Sequence, residues 1–229
     1  VEVKGAKRWL DFFVFRFQPI EFIKPFFILS VAQIICFFWI KGEKLAYLFS
    51  FMLLLLIVSL LILQPDLGQS VLIICSWLSV IFISGFNIYL LFAFFLIFIV
   101  FLSGLVFFYP GRFDYIISRV ISFFDTKSSN FQTTRATEAI KEGGLKGQGI
   151  GEGILKESVP EAHTDYVIAV ISEEFGSLVS IFVISLFLFI AFRVIKIIIN
   201  SDNSFYKLAL SGLMSLLIFQ TFIHIGVNA

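Results

Sequence analysis

The most constraining feature of the sequence is a stretch of 45 residues, positions 67 to 111, without a single Asp, Glu, Lys or Arg. A soluble domain could not cover so much apolar chain with a polar surface, because 59% of the 229 residues are hydrophobic and only 14% are charged. The mean hydropathy of +1.00 indicates that the bilayer is the solvent of this chain. A net charge of +1 offers no basic face, so no nucleic acid is expected as a partner.

Six apolar runs approach or exceed the length of about 20 residues that a helix needs to cross a bilayer. They cover roughly Phe22–Ile40, Ala46–Leu63, Gly68–Ser84, Ile88–Phe108, Tyr166–Phe192 and Leu208–Ile225. The runs are continuously apolar and do not alternate, which favours helices over a barrel. We therefore predict an all-α, polytopic transmembrane helix bundle that forms a single membrane domain over residues 1–229.

The orientation follows from the connections that must share one side of the membrane. Connections 41–44, 84–87 and 193–207 fall together, and their lysines and arginine place that side in the cytoplasm. These basic residues are Lys41, Lys44, Arg193, Lys196 and Lys207. The N-terminal segment, the turn at 64–66 and the long loop 109–165 then face outward, although the basic N-terminal segment argues for the opposite orientation.

The long loop 109–165 is the segment in which we expect function, because loops of this length are uncommon unless they are functional. Apolar residues at helical spacing predict a short amphipathic helix over 113–124. A second helical piece is predicted over 133–141. The glycines between 143 and 153 then predict a flexible stretch, and a phosphate-binding loop is the weaker alternative because no strand precedes it and no Gly-Lys-Ser/Thr follows.

Two pairs of carboxylates stand near the fifth run. Pro160 suits the first position of a helix, so Glu161 and Asp165 would lie one turn apart on one face at the outer mouth of the span. There they either hold a catalytic base and attract a pyrophosphate, or only complement the helix dipole. Glu173 and Glu174 would lie about two turns deeper, where ionisable groups mark a cavity unless they are solvated near the head groups.

Three other features offer weaker candidates. Glu21 and Lys24 are three residues apart on one face of the first span, where they either pair with each other or serve a substrate. His163 is a candidate for positioning a substrate, and otherwise a hydrogen-bonding neighbour. Cys36 and Cys75 lie inside apolar runs without zinc-ligand spacing, so we interpret them as small buried side chains.

The motifs of the chain resemble those of the SEDS proteins (shape, elongation, division and sporulation). The matching segments, in order, are 4–9 (KGAKRW), 18–24 (QPIEFIK), 64–68 (QPDLG), 143–151 (GGLKGQGIG), 160–166 (PEAHTDY) and 172–176 (SEEFG). Ala162 inside the fifth of these segments is more similar to the cell-division branch of the family than to the rod-shape branch. The resemblance runs through nearly the whole chain.

This resemblance implies a ten-span inner-membrane protein of which the chain covers spans four to nine as a fragment. The family joins units of lipid II into glycan strands and works with a class B penicillin-binding transpeptidase and other division proteins among the membrane lipids. This protein is expected at the division septum. Asp165 occupies the position that the family requires for polymerisation. A carboxylate there would accept the proton of the attacking sugar hydroxyl.

The leaving group, a polyprenyl pyrophosphate, needs cations to stabilise its developing charge. The candidates are Lys24, Arg8 and Arg135, together with a divalent metal such as Mg²⁺ or Mn²⁺; no organic cofactor is expected. Glu161, His163, Glu173 and Glu174 complete the set of expected substrate contacts. Two alternatives stay open, namely a transporter that flips lipid II and a non-catalytic scaffold that docks a transpeptidase.

Overall fold

The computed structural model describes residues 10–12, 15–39, 42–64, 66–87, 131–154 and 166–228, with positions 89, 92, 96, 99, 100, 103 and 104. The chain divides into two compact units, which we describe separately. The first contains Val1–Tyr109 and Val194–Phe219, and the second contains Pro110–Arg193 and Gln220–Ala229.

Helices dominate the described residues, as predicted. The helices are α1 (Pro19–Trp39), α2 (Glu43–Leu63), α3 (Leu67–Ile83), α4 (Phe131–Gly143), α5 (Val167–Phe175), α6 (Ser177–Asn200) and α7 (Ser204–Asn228). A short antiparallel hairpin of β1 (Leu10–Phe12) and β2 (Phe15–Phe17) precedes them, with Leu10 paired to Phe17. The sequence patterns did not predict this hairpin.

Four described segments are long and apolar enough to cross a membrane: Pro19–Trp39, Lys44–Leu63, Ser177–Asn200 and Ser204–Gly226. The predicted span Gly68–Ser84 is also a helix, but its 17 residues give α3 a length of only about 26 Å. Most of the predicted span Ile88–Phe108 lies outside the described residues, as does the predicted helix over 113–124. The predicted helix over 133–141 is confirmed by α4.

In the first unit, α1, α2, α3 and the beginning of α7 share an apolar core. Ile28, Val31, Ile73 and Val80 are all fully buried in it. Gly212 brings α7 close to its neighbours, since a Cβ at this position would lie 2.5 Å from methyl carbons of both Ile28 and Val80. Many large apolar side chains point outward instead, which is the arrangement expected of helices that face lipid.

The connections of the first unit lie at its two ends, in the two sets that the sequence predicted. At one end, Gln18 Nε2 lies 3.3 Å from Asp66 Oδ2, which joins the start of α1 to the turn before α3. At the other, Ser84 Oγ lies 3.2 Å from the hydroxyl of Tyr47. The predicted loop 193–207 is wrong in its extent, because α6 continues to Asn200 and α7 begins at Ser204.

The fifth predicted span, Tyr166–Phe192, is not one helix. The chain leaves helical geometry at Gly176, where φ is +89° and ψ is 163°, a conformation that essentially only glycine adopts. The short α5 therefore ends at Phe175, and α6 begins anew at Ser177. As a result, Glu173 and Glu174 lie in α5, ahead of the long helix, and not two turns inside a continuous span.

Candidate functional site

The candidate catalytic segment leads into α5, and α4 holds the first turn of that helix. Tyr166, which follows Asp165 in the sequence, is the N-cap of α5 and is buried. It packs in one cluster with Ala169 of α5 and with Ala136 and Ala139 of α4. Small side chains let two helices approach closely, so two successive turns of α4 support the start of α5.

The glycine-rich segment 143–154 packs against the other end of α5. The backbone N–H of Gln148 donates to the carbonyl of Glu173 at 2.9 Å, and that of Gly149 donates to the carbonyl of Glu174 at 3.1 Å. These bonds satisfy carbonyl groups that the end of α5 would otherwise leave without partners. The N–H of Ser177 at the start of α6 in turn donates to the carbonyl of Gly144 at 2.9 Å.

Three glycines of the stretch that the sequence predicted to be flexible, Gly143, Gly147 and Gly153, serve close packing. A Cβ at Gly143 would overlap the carbonyl of Ser172, and one at Gly147 would overlap the carbonyl of Glu174. A Cβ at Gly176 would overlap the carbonyl of Leu145. The segment and the break between α5 and α6 therefore fit together only because glycine occupies both surfaces.

The side chain of Glu173 also contacts the glycine-rich segment, and it is only 1% exposed. Its Oε1 accepts a hydrogen bond of 2.8 Å from the backbone N–H of Ile154. Gly153 makes room for the carboxylate, since a Cβ there would lie 2.6 Å from Oε2. Glu173 is thus neither solvated near head groups nor deep in a span, and its predicted contact with substrate stays a prediction.

Arg135 lies on the exposed side of α4. Its guanidinium is 3.1 Å from the carboxylate of Glu138, and both side chains are about half exposed. An exposed pair of this kind contributes little stability.

In the first unit, a polar cluster joins the beginnings of α1 and α3. Its members are Gln18, Glu21, Lys24, Asp66, Gln69 and Ser70. Lys24 is 1% exposed, and its Nζ lies 2.6 Å from Oε2 of Glu21, which confirms the predicted pairing of the two. The amide of Gln69 donates to Oε1 of Glu21 at 3.2 Å, while the buried Oε1 of Gln69 has no hydrogen-bond partner among the described residues.

Four predicted site residues, Arg8, Glu161, His163 and Asp165, lie outside the described residues. The sequence predicts a helix that starts at Pro160, but α5 begins at Val167 with Tyr166 as its N-cap, so Asp165 precedes this helix. Sequence reasoning missed Gln18, Asp66 and Gln69 as members of the polar cluster. The available signal was their position at the start of two helices, beside the motif prolines at 19 and 65.

The described part of the chain offers no group of three or more His, Cys, Asp or Glu side chains that could hold a metal ion.

Comparison with known proteins gives matches along the whole chain. A family model described as "Cell cycle protein", which covers FtsW, RodA and SpoVE, matches residues 1–229. The chain is 36% identical over 98% of its length to a protein of Caulobacter vibrioides named probable peptidoglycan glycosyltransferase FtsW. It is 33% identical over 98% of its length to the peptidoglycan glycosyltransferase MrdB of Escherichia coli K12. The chain spans 57% of the first relative and 62% of the second, about three fifths of each.

Two solved structures share the fold. One is a chain from the structure "Structural coordination of polymerization and crosslinking by a peptidoglycan synthase complex". The match covers all of the present chain and 64% of that chain, with a TM-score of 0.73 and 24% identity. The other is the rod shape determining protein RodA of Thermus thermophilus, which covers 99% with a TM-score of 0.60 and 24% identity, over 59% of its own length. At this identity the two structures support the helical architecture alone.

Proposed function

The chain belongs to the family of cell cycle proteins that includes FtsW, RodA and SpoVE, and from this membership we propose that the protein containing it is a peptidoglycan glycosyltransferase. The observation that carries the proposal is the identity of 33–36% along nearly the whole chain to proteins that bear this name. The proposed substrate is lipid II, a disaccharide anchored in the bilayer by a polyprenyl pyrophosphate. Apolar outer faces such as that of α6 suit an enzyme whose substrates arrive through the membrane.

In the proposed reaction, a sugar hydroxyl of the acceptor attacks the anomeric carbon of the donor. The new bond forms between that oxygen and the anomeric carbon, while the bond from the anomeric carbon to the pyrophosphate oxygen breaks. The carboxylate of Asp165 takes the hydroxyl proton, and the electron pair of the broken bond leaves with polyprenyl pyrophosphate. A base must hold its position to act within hydrogen-bond reach, and Tyr166 and the α4–α5 cluster support the chain directly after Asp165.

We assign the polar cluster of α1 and α3 to substrate binding. Lys24, whose ammonium forms an ion pair with Glu21, is the proposed contact to a phosphate or pyrophosphate group. The buried Oε1 of Gln69 is an acceptor that a sugar hydroxyl or amide would satisfy. Arg8 and Arg135 are proposed as further contacts to the leaving group, and Glu161, His163 and Glu174 as polar contacts to the sugars.

The proposal is tested by polymerisation of labelled lipid II with the full-length protein. We expect Asp165→Asn to lower the rate of strand formation at least about 100-fold, since general bases contribute about 10²–10⁴-fold. Asp202→Asn is the matched control, because Asp202 is exposed in the connection between α6 and α7 and should leave the rate unchanged. An Asp165→Asn protein that still makes strands contradicts the assignment of the base.

A second candidate function, the transport of lipid II, is favoured by the buried charge of Lys24 inside a span. The same preparation distinguishes the glycosyltransferase from a transporter and from a scaffold. A wild-type protein that flips lipid II in vesicles but forms no strands is a transporter, and one that does neither but binds a transpeptidase is a scaffold.

We further propose a class B penicillin-binding transpeptidase as the partner and the division septum of the inner membrane as the location. The partner proposal is supported by the fold shared with a chain from a peptidoglycan synthase complex. The role in division is supported by Ala162. Asp165→Asn should still copurify with the transpeptidase, because the substitution removes a base and not a docking surface.

A further inference from the structure

A cavity of about 370 Å³ opens in the first unit at the end opposite to the polar cluster. The C-terminal parts of α1 and α3 and the start of α7 line it, through Ile35, Cys36, Trp39, Ile83, Ser84, Ser204, Lys207 and Leu208. The volume lies at the lower end of the range of about 300–1,000 Å³ that is usual for small-molecule sites. Nothing in the proposed glycosyl transfer uses this end of the unit.

The polar groups of the cavity suit an anion. Lys207 is half-buried, and its ammonium has no ion-pair or hydrogen-bond partner among the described residues. It lies in the first turn of α7, whose N-cap Asn203 accepts hydrogen bonds from the N–H groups of Phe205 at 2.9 Å and Tyr206 at 3.3 Å. The positive end of the helix dipole therefore adds to the charge of Lys207. The hydroxyl of Ser204 provides a donor beside it.

The remaining walls of the cavity are apolar. Ile35, Ile83 and Leu208 form a surface that suits hydrocarbon, and Trp39, 41% exposed, stands at the rim. Trp is favoured at the level of lipid head groups, where its ring is partly apolar and its N–H is polar. A soluble anion would leave the apolar part of this cavity without an occupant.

From this combination we propose that the cavity binds an anionic phospholipid of the surrounding membrane. The phosphate lies against Lys207, Ser204 and the start of α7, and the upper part of one acyl chain lies against Ile35, Ile83 and Leu208. Basic pockets between transmembrane helices are known to hold anionic head groups in this way. The bound lipid would join α1, α3 and α7, because each of the three helices contributes to the walls.

The test uses the full-length protein in nanodiscs of phosphatidylcholine with a minor fraction of phosphatidylglycerol. Native mass spectrometry after gentle extraction counts the molecules of each lipid that stay bound. We expect the wild type to retain phosphatidylglycerol in preference to phosphatidylcholine, and Lys207→Met to lower that preference about fivefold, the effect of one lysine near an anionic surface. Lys207→Arg should keep the preference.

Lys44→Met is the matched control, because Lys44 lies at the same end, is exposed and does not line the cavity. Its lipid preference should equal that of the wild type, with thermal melting as the check that each variant is folded. An equal loss in Lys44→Met would show a general surface attraction and overturn the proposal. So would an unchanged preference in Lys207→Met, or displacement of the lipid by soluble glycerol phosphate, which would make the site one for free phosphates.

Discussion

At the scale of single residues, two buried charges are stabilised by different kinds of partner. The carboxylate of Glu173 accepts from a backbone N–H 19 residues away in the chain, at Ile154. The ammonium of Lys24 pairs with a carboxylate on its own helix, at Glu21. A buried charge is costly without such partners. Glu173 therefore has a partner in a distant segment, whereas the carboxylate paired with Lys24 lies on the neighbouring turn of α1.

This difference decides what the sequence could predict. The pair of Glu21 and Lys24 follows from their spacing of three on one helix, and the structure confirms it. The bond between Glu173 and Ile154 does not follow from any spacing, because it requires the segment 143–154 to fold back onto α5. The polar contacts of Gln18 and Gln69 across 48 residues escaped prediction for the same reason.

The pair of Glu21 and Lys24 should respond unequally to removal of its two members. Glu21→Gln removes the carboxylate that pairs with the ammonium of Lys24, which is 1% exposed. Lys24→Met instead leaves a carboxylate that is 41% exposed and can be hydrated. We expect Glu21→Gln to destabilise the protein by about 2 kcal/mol, less than a fully buried pair would lose, and Lys24→Met to cost clearly less. Thermal melting of the purified variants measures both.

The double variant provides the control for that asymmetry. With the ammonium already removed by Lys24→Met, adding Glu21→Gln should cost almost nothing, because no buried charge remains to be compensated. Equal and additive losses would mean that the pair does not stabilise Lys24.

At the scale of elements, the break between α5 and α6 matters most for the candidate site. The sequence predicted one continuous span because Gly176 lies within an apolar run, and a single glycine in such a run does not require a helix to end. The break becomes evident only from the packing of segment 143–154, which satisfies the last carbonyls of α5. Local pattern was sufficient for α4, whose amphipathic spacing is complete within 13 residues.

Gly176→Ala should disrupt the packing of segment 143–154 against the end of α5. Alanine rarely adopts a φ of +89°, and its Cβ would overlap the carbonyl of Leu145. We expect a cost of about 1–3 kcal/mol from the backbone alone. In hydrogen exchange, the N–H groups of Gln148, Gly149 and Ile154 should lose protection, since all three donate to Glu173 or Glu174.

Gly68→Ala is the matched substitution, because Gly68 lies in the first turn of α3 and a Cβ there would meet no atom within 4 Å. Protection in segment 143–154 should stay as in the wild type. If Gly176→Ala leaves that protection intact as well, the break in the helix is not what holds the segment.

At the scale of the whole molecule, composition alone gave the correct class of protein but not the extent of every span. Hydropathy identifies α1, α2, α6 and α7 because each is long and apolar enough to cross a membrane. It also merged α5 with α6 and placed Arg193 and Lys196 in a loop, although both lie inside α6. Lysine and arginine can extend along a helix toward the head groups, so a charge near the end of a span does not mark where the helix stops.

The orientation of the molecule is open to a direct measurement with single cysteines. With Cys36 and Cys75 replaced by alanine in the full-length protein, cysteine is introduced at Asn87, exposed after α3, or at Leu145, 67% exposed in segment 143–154. Because basic connections favour the cytoplasm, a membrane-impermeant maleimide should label Leu145→Cys in spheroplasts, and Asn87→Cys only after permeabilisation. Lys44→Cys should behave like Asn87→Cys, since both lie at the basic end. The reverse pattern would place the long loop and Asp165 in the cytoplasm, where no glycan strand is built, and would contradict the proposed reaction.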